Sequence, residues 1–87
     1  MAQGTEQPAD SPTRLAKHSV SIAGHRTSIT LEAAFWDALH EIAKQRATTL
    51  AALIAAIDTA RAADPAAPNL SSAIRVFVLR HTREAAR

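Results

Sequence analysis

Two runs in the first third of the chain alternate between apolar and polar residues, as strands with one buried face do. The first run spans residues 18–22 and the second spans residues 26–31. In the second run one face carries Thr27, Ile29 and Leu31, and the other carries Arg26, Ser28 and Thr30. The connection Ala23-Gly24-His25 is short, so the two runs can close as a hairpin. The pattern is equally compatible with a stable strand in the second run alone.

The pattern changes to a helical period after Leu31. A helix is predicted from Glu32 to Arg46, with one apolar stripe of Leu31, Phe35, Leu39 and Ile42. Thr49 is a good N-cap for a second helix with an apolar stripe of Leu50, Leu53, Ile54 and Ile57. Two prolines end this helix, and a third helix is predicted over residues 70–84. The predicted fold class is therefore mainly α with a short β ribbon.

Length and composition limit the size of the core. The chain has 87 residues and a mass of 9.3 kDa, enough for one small domain. Alanine accounts for 21 residues and aromatic side chains for three, so few large side chains are available to bury. Residues 1–16 are polar and contain prolines, which predicts a disordered N-terminal tail followed by a domain over residues 17–87. A core this small favours oligomerisation.

Several classes of function are excluded or disfavoured. The chain has no cysteine, which excludes disulfides and thiol chemistry. No apolar run approaches the roughly 20 residues of a membrane span, and the N-terminus is not a secretory signal, so a cytoplasmic protein is expected. No glycine-rich phosphate loop or nucleophile motif is present, so the chain is not expected to be an enzyme. The spacing of the four histidines predicts neither a metal site nor a cofactor.

The positive charge is concentrated in two places. The formal net charge is +2 and the sequence pI is about 9.9. Residues 18–31 contain Arg26 and no acidic residue, and residues 64–87 contain four arginines against two acidic residues. This distribution is compatible with nucleic-acid binding but does not establish it.

The stretch from Ser28 to Ile57 resembles the ribbon-helix-helix family of DNA-binding repressors, the Arc and MetJ type. The resemblance lies in Ser28-Ile29-Thr30-Leu31 before the first helix, in Ile42-Ala43 near its end, and in Thr49 opening the second helix. Ala47 stands where glycine is common in the family. The extra segments on both sides are similar to those of a bacterial subfamily with an added N-terminal β segment and a C-terminal helix.

The resemblance implies a set of DNA contacts. In the family the outward residues of the ribbon touch base edges in the major groove, and the matching residues here are Arg26, Ser28 and Thr30. The start of the second helix grips a backbone phosphate, which implies Thr49 with the amides of Leu50 and Ala51. Lys17 is a further expected phosphate contact.

The resemblance also implies a homodimer, of higher order if dimers assemble further. The expected dimer core consists of Ile29, Leu31, Phe35, Leu39, Ile42, Leu53, Ile54 and Ile57. The implied function is sequence-specific binding of double-stranded DNA by a transcriptional repressor. The alternatives are a dimerisation or protein-interaction module on the same fold, such as an antitoxin with an unidentified protein partner, and a nucleoid-associated binder without base specificity.

Pairing of residues 18–22 is the open point of this interpretation. Pairing with the second run in the same chain would give a dimer up to four strands. The major groove, about 12 Å wide, accepts a two-stranded ribbon. A four-stranded sheet would not enter it, so the first run would have to fold away or the domain would not read bases as the family does. The further alternative is that His18 and residues 19–21 lie along the phosphates, together with Arg14 and Lys17.

Overall fold

A hairpin of two strands is followed by three helices. The computed structural model describes residues 11–64, 66 and 69–86. The elements are β1 (Leu15–Ile22), β2 (His25–Glu32), α1 (Ala33–Gln45), α2 (Leu50–Ala62) and α3 (Leu70–Ala85). The predicted fold class, mainly helical with a short β ribbon and a third helix, is confirmed.

β1 and β2 pair antiparallel within one chain, which decides between the two alternatives left open by the sequence. Ile22 stands opposite His25, so the turn consists of Ala23 and Gly24 alone. Their φ angles of 51° and 83° are both positive, as a type I′ turn requires. This turn type matches the right-handed twist of the strands and permits the full eight-residue register.

The segment before β1 caps the N-terminus of α1 through its backbone. Glu32 is the N-cap of α1, but its side chain makes no capping hydrogen bond. Instead, the amides of Ala33 and Ala34 donate to the carbonyl oxygens of Arg14 and Pro12, at 2.8 and 3.0 Å. β1 begins at Leu15, so the expected start of the domain at residue 17 lies two residues inside this strand. Residues 1–10 of the expected tail lie outside the described residues.

The three helices cover the inner face of the hairpin and form one core. Seven of the eight residues predicted for a shared dimer core are buried by a single chain: Ile29, Leu31, Leu39, Ile42, Leu53, Ile54 and Ile57. Val20, Ile22, Ile74 and Val78 complete this core from the other elements. Burial of these side chains does not require a second chain.

Phe35 is the exception among the predicted core residues, because it is only half-buried. The neighbouring Trp36 is 5% exposed and takes the central place. Its Nε1 donates to the carbonyl oxygen of Ala16 at 3.1 Å, and its ring meets the His18 ring edge-on at 4.3 Å between centroids. Contact with β1 thus turns the buried face of α1 toward Trp36.

The connection between α1 and α2 is a Schellman motif without glycine. The amide of Thr48 donates to the carbonyl oxygen of Ala43, and that of Ala47 donates to Lys44. Ala47 has a φ of +53°, a left-handed conformation in which its Cβ is strained. The departure from the glycine of the family pattern therefore has a conformational cost.

Ala47→Gly is expected to stabilise the protein by about 1 kcal/mol, because glycine adopts positive φ without strain. In a domain of this size the melting temperature would rise by about 4–8 °C. Ala56→Gly, at an exposed position inside α2, is the matched control and should destabilise by about 1 kcal/mol. Thermal unfolding followed by circular dichroism would measure both. A loss of stability in both variants would contradict the left-handed conformation of Ala47.

Candidate nucleic-acid interface

One face of the hairpin is polar over three successive residue pairs. The antiparallel register sets Lys17 opposite Thr30, Ser19 opposite Ser28, and Ser21 opposite Arg26. Directly opposite residues project to the same side of a sheet, so these three pairs share one face. All six side chains are exposed, and they define what we term the outer face of the hairpin.

The outer face combines positive charge with hydroxyl groups. Lys17 and Arg26 lie at opposite corners, four hydroxyl side chains lie between them, and no acidic residue occurs within residues 17–21 or 26–30. Arginine binds guanine O6 and N7 through two hydrogen bonds, and serine or threonine can donate to or accept from several base edges. Such a face is chemically suited to the major groove.

The sequence prediction identified one strand of this face and part of the other. Arg26, Ser28 and Thr30 were predicted as base contacts and Lys17 as a phosphate contact, and the structure brings all four to one surface. Ser19 and Ser21 were not among the predicted base contacts. Period-two alternation in residues 17–21 is the signal that could have identified them. The hairpin register is needed in addition, because it places Ser19 and Ser21 beside Ser28 and Arg26 on the same face.

The first turn of α3 lies against the unpaired edge of β2. The hydroxyl of Ser71 donates to the carbonyl oxygen of Thr30 at 2.9 Å. Close by, Arg75 Nε lies 2.9 Å from Glu32 Oε1, and a second guanidinium nitrogen lies 3.4 Å from Oε2. The hydrogen bond from Arg75 lowers the pKa of Glu32, with a further contribution from the backbone of Glu32 itself. The carboxylate is therefore charged at neutral pH and retains its ion pair with α3.

The predicted phosphate site at the start of α2 has the geometry of a helix N-terminus. Thr49 is the N-cap, and its hydroxyl oxygen accepts from the amide of Ala52 at 3.0 Å. The amides of Leu50 and Ala51 belong to the first turn, where no intrahelical acceptor exists. Such amides, together with the helix dipole, attract an anion. These three residues form a group separate from the outer face of the hairpin, on a different element.

The exposed side of α3 carries apolar side chains. Val76 is 48% exposed and Leu79 is 54% exposed. Together with Phe35 of α1 they line a shallow apolar groove between the two helices. Arg75 also lines this groove, with its guanidinium carbon 6.0 Å from the centre of the Phe35 ring. This surface differs in character from the outer face of the hairpin.

Two further observations on the described residues concern metal sites and membrane-spanning helices. Within residues 11–64, 66 and 69–86, no three metal-ligating side chains are grouped together. Among the helices in this part of the chain, none has the length and apolarity that a membrane crossing needs.

Comparison with known proteins identifies the fold and one similar structure. The structure of an uncharacterized protein from Bordetella pertussis Tohama I is similar to this chain, with a TM-score of 0.72 and 29% sequence identity. The similarity covers 86% of this chain but 61% of that protein, so the chain spans less than two thirds of its length. No curated protein matches the chain. The sequence model of the ribbon-helix-helix domain matches residues 15–82, and the chain therefore belongs to the ribbon-helix-helix domain family.

Proposed function

We propose that this chain is a sequence-specific DNA-binding protein that acts as a homodimeric transcriptional repressor. The observation that carries the proposal is the outer face of the hairpin, an exposed surface of hydroxyl and cationic side chains on a two-stranded ribbon. Membership of the ribbon-helix-helix family supports it, because DNA-binding regulators are common in that family. A regulator of this kind acts in the bacterial cytoplasm.

In the proposed complex the outer face enters the major groove, which admits a two-stranded ribbon. Arg26, Ser28 and Thr30 read base edges, with Arg26 suited to guanine. Lys17 and the start of α2, with Thr49, Leu50 and Ala51, bind phosphates and set the register of the protein on the duplex. Two protomers would then read a symmetric or repeated site.

Dimerisation is expected from symmetry as well as from size. An isolated hairpin offers six side chains to the DNA, which is a small reading surface. Two copies joined by a two-fold axis double the number of base contacts, and the operator would mirror that symmetry. The apolar residues left exposed on α3 provide surface for association.

The test is selection of binding sites from a random duplex library at two salt concentrations. We expect the unmodified protein to enrich a palindromic or repeated motif, and Arg26→Ala/Thr30→Ala to lose it. Loss of Arg26 alone should cost about 1–3 kcal/mol and relax preference at one base position. The matched control is Thr59→Ala/Arg83→Ala, which removes the same two residue types from exposed helix positions and should leave the motif unchanged.

Two results would contradict the proposal. If Arg26→Ala lost affinity uniformly for all sequences, Arg26 would contact phosphate only and would not read a base. Failure to enrich any sequence at either salt concentration, with a stable dimer in solution, would favour the second candidate function. That candidate is a protein-interaction module such as an antitoxin, and the apolar groove of Phe35, Val76 and Leu79 is the surface that favours it.

A further inference from the structure

We infer that β1 of each protomer lies against the sugar-phosphate backbone of bound DNA, where Lys17, Ser19 and Ser21 contact the phosphates that flank the groove read by β2. This inference rests on the proposed function and deepens it, because it gives the two strands of the hairpin different tasks. β2 reads bases, and β1 anchors the protein on the backbone at either side.

β1 is fixed to the domain by its inner face. Val20 and Ile22 are buried in the core, and Trp36 donates its Nε1–H to the carbonyl oxygen of Ala16 at 3.1 Å. The His18 ring packs edge-on against Trp36 and so belongs to the same anchor. Folding β1 away from β2 would open this part of the core and break the hydrogen bond. The strand therefore stays paired with β2 when the protein binds DNA.

The free edge of β2 sets the width of the sheet in a dimer. In a hairpin closed by a two-residue turn, the backbone groups of Arg26 and Ser28 point away from β1. The Ser71 hydroxyl meets this edge farther along, at the Thr30 carbonyl oxygen. Open strand edges add further strands, so the same strand of a second copy is the natural partner around a two-fold axis. The resulting strand order is β1-β2-β2-β1.

The spacing of strands decides which of the four enter the groove. Neighbouring strands lie about 4.8 Å apart, so the two central β2 strands fit together into a major groove about 12 Å wide. The two β1 strands are three spacings apart, which is about 14 Å. They cannot enter the groove together with β2, and they come to lie at its two walls, which the phosphate backbones form.

The exposed side of β1 offers the donors that phosphate oxygens accept. Lys17, Ser19 and Ser21 are exposed on the outer face, and residues 17–21 contain no acidic side chain. The register that directs Arg26 and Ser28 to the free edge of β2 also directs the backbone N–H groups of these three residues to the other edge of β1. Lysine, serine and backbone N–H groups are all common phosphate contacts. Each of the three residues therefore presents both a side-chain donor and a main-chain donor.

The first part of the test measures how the DNA affinity of Lys17→Ala depends on salt. Each phosphate contact contributes about 0.9 to the slope of log K against log salt, so a dimer that loses two contacts should show a slope shallower by about 1.8. The enriched motif should stay the same, because phosphates carry no sequence information. Lys17→Arg keeps the charge and should keep the slope. Arg83→Ala, which removes the same charge from an exposed position on α3, is the matched control and should also leave the slope unchanged.

The second part measures the hydroxyl groups through Ser19→Ala/Ser21→Ala. We expect affinity to fall about two- to tenfold for each lost hydrogen bond, equally for all sequences. Ser19→Thr/Ser21→Thr keeps both hydroxyls and should recover most of the affinity. Base preference relaxed at particular positions would show that β1 reads bases, and affinity and slope unchanged in all the alanine variants would show that β1 lies away from the DNA. Either result would overturn the inference.

The third part locates the contact on the DNA. Neutral methylphosphonate groups are placed one at a time along the backbone of the enriched site. We expect those at the phosphates flanking the groove to weaken the wild-type protein and to have little further effect on Lys17→Ala, because that contact is already lost. Equal sensitivity of both proteins at every phosphate would contradict a contact by Lys17.

Failure of this inference is distinguishable from failure of the proposed function. A wild-type protein that enriches no motif would refute sequence-specific binding, and the salt dependence of its binding to mixed-sequence duplex would still test β1. An enriched motif with a salt slope and affinity untouched by the β1 variants would refute this inference alone. Complete absence of DNA binding would refute both.

Discussion

Replacement of Trp36 by alanine is expected to lower the free energy of unfolding by about 3–5 kcal/mol, the range for large aromatic residues in a core. Trp36 is 5% exposed, packs against β1 and donates its Nε1–H to the Ala16 carbonyl oxygen at 3.1 Å. The variant would lose this packing and leave a cavity between α1 and the hairpin. A domain of this size is stabilised by about 5–10 kcal/mol in total, so the variant would be close to unfolding.

Phe35→Ala is the control for this prediction, because the sequence stripe places Phe35 in the core and the structure leaves it half-buried. We expect a clearly smaller loss, about 1 kcal/mol. Trp36→Phe should fall between the two, since it keeps a ring but loses the hydrogen bond. Urea denaturation measures the stability of all three variants. It is followed by circular dichroism and not by tryptophan fluorescence, because Trp36 is the sole tryptophan and two of the variants lack it. Equal losses for Phe35→Ala and Trp36→Ala would place the buried face of α1 elsewhere.

Ile74→Ala is expected to cost about 2–5 kcal/mol, which would establish α3 as part of the domain core. The side chain is fully buried against the other elements. Its loss would loosen the helix whose first two turns also contact Thr30 and Glu32, through Ser71 and Arg75. A loosened α3 would expose the edge of β2, and exposed strand edges favour association between chains.

Leu79→Ala on the same helix is the matched control. Leu79 is 54% exposed, so its truncation should change the stability of the isolated protomer by less than about 1 kcal/mol. The two variants make nearly the same change in volume, and they differ in burial. Equal effects in chemical denaturation would mean that α3 does not pack on α1 and α2 as the structure has it.

The starts of α2 and α3 were predictable because the signals that set them are local. Thr49 and Asn69 are N-cap residues, and in the structure their side chains accept hydrogen bonds from the amides of Ala52 and Ser72. The predicted and observed starts of α2 and α3 therefore agree. Alternation likewise predicted that Arg26, Ser28 and Thr30 share the exposed face of a strand.

Features that depend on distant contacts were not predictable in the same way. Phe35 and Trp36 are adjacent on α1, and a rotation of about 100° decides which of them is buried. Docking against Ala16 and His18, about 20 residues away in sequence, sets that rotation. The joining of Ser19 and Ser21 to the outer face similarly needs the hairpin register, which follows from the turn at Ala23 and Gly24.

The assignment of roles to the site residues remains a prediction of a different kind. Placement of Arg26, Ser28, Thr30 and Lys17 on one surface follows from the fold, whereas contact with bases or phosphates depends on a ligand. The anion site at Thr49 rests on general properties of helix N-termini. Selection experiments with the variants described above are the means of assigning these roles.

The segment before β1 caps the start of α1, and this limits how far the N-terminus can be shortened before the domain no longer folds as described. The acceptors are main-chain carbonyl oxygens of Pro12 and Arg14, so exchanging the side chains there leaves both bonds available. Deletion of Pro12 and Arg14, in contrast, removes both acceptors. A protein trimmed at residue 17, where composition alone suggests that the domain starts, would lose two strand residues and leave the amides of Ala33 and Ala34 without these acceptors. Trimming at residue 11 would spare the whole arrangement, and the smallest unit that folds as described therefore begins within the apparent tail.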